Sequence, residues 1–147
     1  MQDRIEKSVT LNAPISRVWD AITDYRQFSA WFGVNLESPF VAGQASSGNI
    51  TTPGYEHMRL AAHVKTIEPR SHFAFAWNPV NEGGEEDRSR QTLVEFRLRE
   101  VEAGTELVIS ESGFAAMPNR SLAEEAYRRN SGGWEIQSQN IANYVQN

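Results

Sequence analysis

Alternation of apolar and polar side chains through the middle of the chain limits the fold more than any other feature. Apolar residues occupy every second position in four runs, at 58–64, 73–77, 94–98 and 107–109. A period of two residues is typical of a β-strand that buries one face. These runs therefore predict a sheet with one apolar face and one polar, largely charged face.

Three further segments complete the predicted sheet. Residues 4–11 alternate clearly, whereas 34–40 and 45–51 have weaker strand patterns. Turn-forming residues are frequent at 43–54 and at 79–90, where hairpin loops are expected. We consequently expect seven strands, which succeed one another along the chain without any internal repeat.

Helical spacing occurs in only three places. Segment 14–23 begins with proline, which is well tolerated in the first turn of a helix, and segment 25–32 ends before Gly33, a favourable helix terminator. The only long segment left to cover the apolar face of the sheet is 120–146. The order of elements predicts a single α+β domain over residues 1–147, with two short helices after the first strand and a long C-terminal helix.

Composition excludes several classes of protein. The net charge of −5 disfavours nucleic-acid binding, which uses Lys and Arg to neutralise phosphates. The sequence contains no apolar run of about 18 residues, so we expect no membrane insertion. Charged residues occupy the N-terminus where a signal peptide would be apolar, and cysteine is absent. Both features predict a cytoplasmic location.

Three segments resemble a known family. They are "NAPISRVWDAITDYRQFSAWF", "TELVISESGF" and "GGWEIQSQNIANYV", which are similar to the activator-of-heat-shock-ATPase homologue family. That family belongs to the START-like (SRPBCC) superfamily, with the polyketide cyclases and plant pathogenesis-related proteins. The resemblance extends over about residues 4–146. It implies a helix-grip fold, in which a seven-stranded antiparallel sheet curls around the C-terminal helix and leaves a cavity between them.

The C-terminal segment has polar residues in the stripe that should face the sheet. A continuous helix would align Tyr127, Asn130, Trp134 and Ser138 along this stripe. In a solid core, an unpaired Asn130 or Ser138 would cost about 1–3 kcal/mol, whereas a cavity holding water or a polar ligand atom would satisfy them. We expect these residues to line a cavity. The alternative is a different helix phase that exposes them to solvent.

Gly132 and Gly133 lie within the same segment. Each costs roughly 1 kcal/mol in a helix relative to alanine. They are explained either by a close approach or a bend of the helix against the sheet, or by a local break in the helix. The sequence leaves both interpretations open.

Glu111 is the most interesting carboxylate of the chain. It shares strand parity with Thr105, Leu107 and Ile109, which predicts that its side chain faces inward. An inward carboxyl must be paired, hydrated at an opening or protonated. It is thus a candidate general acid or base, or a ligand anchor. The alternative is a rim residue at the end of the strand, next to the turn at Gly113.

Aromatic residues are the remaining binding-site candidates. The aromatic set comprises Trp31, Phe32, Phe40, Phe73, Phe75, Trp77, Phe96 and Trp134. Most such residues form core, but a pocket is also lined mainly by apolar side chains with a few polar groups. The residues that we predict to bind a ligand are Trp31, Phe40, Phe73, Phe75, Phe96, Glu111, Tyr127, Asn130, Trp134 and Ser138.

Motifs for metal, nucleotide or covalent catalysis are not found in the sequence. His57 and His63 fall on the predicted outer face of their strand, His72 opens the next strand, and HExxH is absent. We therefore expect no metal ion and no cofactor.

Three functions remain open, and the resemblance implies all of them. The first is binding of an apolar or amphipathic small molecule. The second is a cyclase-type or hydrolase-type enzyme that uses Glu111 or Tyr127 for proton transfer. The third is a protein-interaction domain that contacts a chaperone. The sequence also permits a homodimer without requiring one.

Overall fold

A single antiparallel sheet of seven strands forms the framework of the protein, and the predicted α+β architecture is confirmed. The computed structural model describes residues 3–78 and 91–146. The strands are β1 (Arg4–Leu11), β2 (Val34–Leu36), β3 (Ala45–Ile50), β4 (Arg59–Glu68), β5 (His72–Trp77), β6 (Thr92–Val101) and β7 (Gly104–Ser112). They lie in the order β1-β7-β6-β5-β4-β3-β2. The hairpin loop predicted at 79–90 lies outside the described residues.

Three α-helices lie where the sequence predicts them. They are α1 (Ile15–Thr23), α2 (Tyr25–Phe32) and α3 (Arg120–Val145), and a short 3₁₀ helix (Phe114–Ala116) precedes α3. Asp24 caps α2 by accepting a hydrogen bond from the Arg26 backbone N–H at 2.9 Å. Gly33 ends α2 with a φ of +91°, a left-handed conformation that favours glycine. None of the described helices is long and apolar enough to cross a membrane.

The inner face of the sheet packs against the helices to form the core. Its largest fully buried aromatic residues include Phe28, Phe73, Phe75 and Phe96. Their rings contact one another, with centroids 6.1 Å apart for Phe73 and Phe96 and 6.2 Å apart for Phe28 and Phe75. This region has the dense interdigitation of a protein interior.

Helix α3 is continuous over 26 residues, so the predicted alternative of a local break at the two glycines is wrong. Close contact with the sheet is wrong as well. A Cβ atom added to Gly132 or Gly133 would meet no other atom within 4 Å. The two glycines therefore have open space beside them, which alanine could occupy.

The phase of α3 agrees with the predicted stripe at its C-terminal half. Its buried residues are Ala123, Ala126, Trp134, Ser138, Ile141 and Val145. A helix with this face toward the sheet brings Trp134 over β7 and places Asn130 one turn before it. This placement positions the polar site described next.

Candidate ligand-binding site

Glu111 is fully buried and is held by four side chains. Its Oε1 atom accepts hydrogen bonds from Trp134 Nε1 at 2.8 Å and from Asn130 Nδ2 at 3.0 Å. Its Oε2 atom accepts from Trp77 Nε1 at 2.8 Å, from Thr92 Oγ1, and from Asn130 Nδ2 at 3.2 Å. The strand-end carboxylate is thus an interior group and not a rim residue.

The strand register brings these groups together. Trp77 of β5 lies opposite Thr92 of β6, and Val94, two residues further along β6, lies opposite Glu111 of β7. Because side chains two residues apart share a face, the sheet directs an indole, a hydroxyl and a carboxylate into the same space. Helix α3 adds Asn130 and Trp134, which lie four residues apart on one helical face.

The donors match the chemistry of an ionised carboxylate. Such a group only accepts hydrogen bonds and offers about four lone-pair sites. The two indole N–H groups can only donate, and the Asn130 amide donates to both oxygens. Burying a carboxylate without such partners would cost several kcal/mol. The four side chains therefore make the interior position of Glu111 tolerable without any cation.

A pocket of about 130 Å³ opens beside this cluster. It is lined by Phe32, Trp77, Asn130, Gly133, Trp134 and Gln137. The Trp77 and Trp134 rings are stacked, with centroids 5.7 Å apart and planes at 28°. The Phe32 ring stands edge-on to them at 6.0 Å and 6.1 Å. Three aromatic rings and two amide side chains thus form the wall.

Glu111 does not itself line this pocket. It lies behind the wall and accepts hydrogen bonds from three of the lining residues, Trp77, Asn130 and Trp134. The carboxylate consequently fixes the orientation of both indole rings while remaining covered. Glu111 therefore affects the pocket through its charge and through the positions of the two indole rings, without contacting the pocket itself.

A second pocket of about 110 Å³ shares two of the same residues, Trp77 and Asn130. Its other lining residues are Ile50, Met58, Arg59, Leu60, Ala61 and Asn78. Four of these are apolar, and Arg59 forms an ion pair with Glu37 at 2.7 Å. The shared lining residues Trp77 and Asn130 place the apolar surface of the second pocket next to the first.

The structure brings together three of the ten residues predicted to bind a ligand. Asn130 and Trp134 line the first pocket, and Glu111 bonds to both. The five others from the aromatic set lie in the core and do not line this pocket: Trp31, Phe40, Phe73, Phe75 and Phe96. Three of them contact a lining residue, since Trp31, Phe75 and Phe96 pack against Phe32, Trp77 and Trp134 respectively. The Trp31 indole donates to the Ala21 carbonyl at 2.7 Å.

Tyr127 and Ser138, which complete the predicted set, also have partners elsewhere. The Ser138 hydroxyl donates to the Trp134 carbonyl at 2.8 Å, a bond within the helix itself. The Tyr127 hydroxyl donates to the Arg4 carbonyl at 3.3 Å, and its ring packs against Phe114. Neither side chain lines the pocket beside Glu111.

Several residues of the site do not belong to the predicted binding set. Phe32 and Trp77 belong to the wider aromatic set, whereas Thr92, Gly133 and Gln137 are not among the predicted ligand-binding residues. Gln137 lies four residues after Gly133, so helical periodicity contains the signal for it. Its Nε2 atom donates to the Phe32 carbonyl at 2.9 Å, which joins α3 to the end of α2.

The outer face of the sheet has a separate charged cluster. His72 lies between Glu68, at 3.2 Å from Nδ1, and Glu95, at 2.8 Å from Nε2, and Arg97 also contacts Glu95 at 2.9 Å. Within residues 3–78 and 91–146, no three histidine or acidic side chains are grouped so that they could hold a metal ion.

Comparisons with known proteins agree with this architecture. The family model described as "Activator of Hsp90 ATPase homolog 1-like protein" matches residues 12–146. A protein of the dynemicin biosynthetic locus, DynU16, is 25% identical with a TM-score of 0.75; the match covers 99% of this chain and 48% of DynU16.

Two bacterial structures have the same fold over most of their length. A protein from Arthrobacter aurescens has a TM-score of 0.80 at 20% identity, with 97% of this chain and 86% of that chain covered. A protein from Mesorhizobium loti has a TM-score of 0.75 at 19% identity, with 97% and 96% covered. No curated protein shows significant similarity to the sequence.

Proposed function

Since this chain belongs to the family of Activator of Hsp90 ATPase homolog 1-like proteins, we propose that it binds an apolar or amphipathic small molecule between the sheet and α3. The observation that supports this proposal is the pocket lined by Phe32, Trp77 and Trp134 in front of the buried Glu111. Apolar walls with a few fixed polar groups are typical of small-molecule sites.

Gly133 is independent support for a pocket that is kept open. A glycine inside a helix costs up to about 1 kcal/mol relative to alanine, and no neighbouring atom requires glycine here. A larger side chain at this position would project into the space that Gly133 lines. An empty volume beside a helix is thus maintained at the expense of helix stability.

The size of the site suits a small ligand. A cavity of roughly 150 Å³ admits a benzene-sized molecule, and the first pocket is close to that volume. The adjoining pocket adds apolar surface from Ile50, Met58 and Leu60. We infer a ligand with one compact end in the aromatic pocket and an apolar extension.

The decisive experiment exploits the two adjacent glycines. Gly133→Leu fills the pocket, whereas Gly132→Leu adds the same side chain to an exposed position one residue away. Both variants and the wild type would be isolated under native conditions, and small molecules released by denaturation would be quantified by mass spectrometry. We expect the wild type and Gly132→Leu to release the same compound, and Gly133→Leu to release at least about tenfold less.

Equal amounts of compound from all three proteins would contradict this location of the site. A thermal-shift screen of amphipathic compounds would cover the case of a ligand lost during purification. A compound that raises the unfolding temperature of the wild type and of Gly132→Leu, but not that of Gly133→Leu, would support the proposal. A screen without any such compound, together with an empty purified protein, would oppose it.

The enzyme alternative has less support from the geometry. The oxygens of Glu111 accept five hydrogen bonds from the protein, which leaves no lone pair directed at a substrate. Tyr127, the other predicted proton-transfer group, bonds to a backbone carbonyl outside the pocket. We propose that Glu111 positions the binding site and does not transfer protons.

The protein-interaction alternative also lacks a suitable surface among the described residues. Their exposed large apolar side chains are Val41, Tyr55 and Ile136, which lie in three separate segments. Chaperone-binding surfaces need a contiguous apolar patch of several hundred Å². Both a chaperone contact and a homodimer remain predictions of the sequence.

A further inference from the structure

We propose that the compact end of the ligand is a monovalent organic cation, and specifically a methylated ammonium group. This inference rests on the proposed function and specifies the chemistry of the same pocket. It follows from the charge behind the aromatic wall, from the wall itself and from the polar atoms that the wall presents.

The first argument is the unbalanced charge of Glu111. The side chains that bond to it are two indoles, a hydroxyl and an amide, all of them neutral. The residues that line the first pocket are also uncharged. Among the described residues, the carboxylate therefore has no countercharge in the side chains that bond to it or line the first pocket. Arg59, in the lining of the second pocket, is paired with Glu37. A cation in the first pocket would supply the countercharge.

The second argument is the aromatic wall. The faces of tryptophan rings attract cations, and quaternary ammonium groups are commonly recognised by such surfaces. The Trp77 and Trp134 indoles both donate an N–H hydrogen bond to the Glu111 carboxylate. The negative charge of this acceptor polarises the two indoles. Electron density on the ring faces rises as a consequence. The wall is thus better suited to a positive ligand than isolated tryptophans would be.

The third argument concerns the polar atoms at the wall. Asn130 directs its Nδ2 group to Glu111, which leaves its carbonyl oxygen as the polar atom available to a ligand. Gln137 directs Nε2 to the Phe32 carbonyl. The Asn130 amide group and one N–H of Gln137 are consequently used inside the protein, which leaves one amide N–H of Gln137 for an anionic ligand. An anion would in addition be repelled by Glu111.

Size supports a methylated ammonium over a larger cation. The pocket of about 130 Å³ accommodates a compact group of benzene-like volume, and the adjoining apolar surface can contact an attached chain. A bare primary ammonium would lose strong hydration on entering an aromatic wall that offers it few acceptors. Methyl groups reduce this loss and add apolar contact.

Three probes of nearly equal shape test the proposal. Choline is the cation, 3,3-dimethylbutan-1-ol is its neutral carbon isostere, and 3,3-dimethylbutanoate is an anion with the same bulky end. Each would be titrated into ¹⁵N-labelled wild-type protein while the indole N–H signals are recorded. The chain has four tryptophans, so Trp19 and Trp31 serve as internal controls for Trp77 and Trp134.

We expect choline to shift the signals of Trp77 and Trp134 and to bind at least about tenfold more tightly than the alcohol, with the anion weakest. Trp77→Phe and Trp134→Phe would assign the signals. Gly133→Leu should abolish the response, and Gly132→Leu should preserve it. Glu111→Gln should reduce the preference for choline over the alcohol; should this variant fail to fold, the wild-type comparison alone decides.

The outcomes separate the two proposals. Equal binding of choline and the alcohol, or tighter binding of the alcohol or the anion, at Trp77 and Trp134 would overturn the cationic ligand while supporting a small-molecule pocket. If none of the probes shifts these signals at tens of millimolar concentration, the cation is likewise overturned. The pocket itself is then judged by the release of bound compound from the glycine variants.

Discussion

The space between sheet and helix has a closed end and an open end, although both are built from aromatic residues. At the closed end, Phe28, Phe73, Phe75 and Phe96 are completely or almost completely buried and pack on one another. At the open end, Trp77 and Trp134 stack beside a pocket. The amount of aromatic surface therefore does not decide which end has a pocket.

The polar edge of the tryptophans makes the difference. Phenylalanine has no donor to satisfy and can be enclosed on all sides, whereas a buried indole N–H needs an acceptor. Glu111 supplies that acceptor to both indoles at 2.8 Å. The carboxylate thus holds two large rings in place along one edge, and Gly133 leaves space next to them.

Truncation at the closed end should have the largest effect on stability. Phe75→Ala removes a fully buried ring that contacts several others, so we expect a loss of about 3–5 kcal/mol in the free energy of unfolding. Urea denaturation measures this loss. A loss below about 1 kcal/mol would show that this end is not tightly packed.

Neutralising Glu111, which accepts hydrogen bonds from both tryptophans of the open end, should have the next largest effect on stability. Glu111→Gln replaces one acceptor oxygen by an amide group that faces the donors, and we expect a loss on the order of 2 kcal/mol. Glu106→Gln is the matched control on β7, because its partner Arg99 lies on the surface, where an ion pair contributes little to stability. Equal urea midpoints for the two variants would contradict the role given to Glu111.

Alanine at the two glycines should give a smaller effect of opposite sign. Gly132→Ala and Gly133→Ala should each stabilise the protein by roughly 0.5–1 kcal/mol, since a Cβ meets no other atom within 4 Å and alanine favours a helix. Thermal unfolding would detect the change. Destabilisation by Gly133→Ala alone would mean that the pocket wall closes on this residue.

The smallest expected effect concerns a carboxylate that has a cation as its partner. Arg59 lowers the pKa of Glu37 through a hydrogen bond and through its charge. A lowered pKa in the folded state adds stability above the unfolded pKa of about 4.5, and this stability is lost as the pH falls through the folded value. Glu37→Gln should therefore be slightly less stable than wild type at about pH 6, and this difference should be smaller at about pH 3.

Urea denaturation at both pH values checks this expectation. If the stability difference between wild type and Glu37→Gln were larger at about pH 3 than at about pH 6, the Glu37–Arg59 pair would be excluded as its cause. Because this pair is solvent-exposed, it provides a reference against which the buried, cation-free site of Glu111 can be judged.

Local patterns in the sequence predicted most of the fold. Strand parity directed Glu111 inward, and helical spacing aligned Trp134 and Ser138 on the buried face of α3. These features depend on neighbours within one element, which periodicity reports directly. The end of α2 at Gly33 was predictable for the same reason.

The site itself depends on relations between elements, which periodicity does not contain. Trp77, Thr92 and Glu111 meet because of the register of three strands, and a shift by one residue would separate them. A register shift between Val64 and Thr66 in β4 is equally invisible in the alternating pattern. The sequence could consequently suggest that aromatic residues line a pocket without distinguishing Phe75 from Trp77.

The strand order also has a consequence for how the molecule is made. β1 pairs with β7, which joins Arg4 to Ser112, while β2 lies at the opposite edge of the sheet. On the ribosome, the first strand must wait for most of the chain to be synthesised before it finds its neighbour. Contacts so distant along the chain slow folding. Pairing of β1 with β7 is therefore a late event, and β1 is an unpaired strand until then.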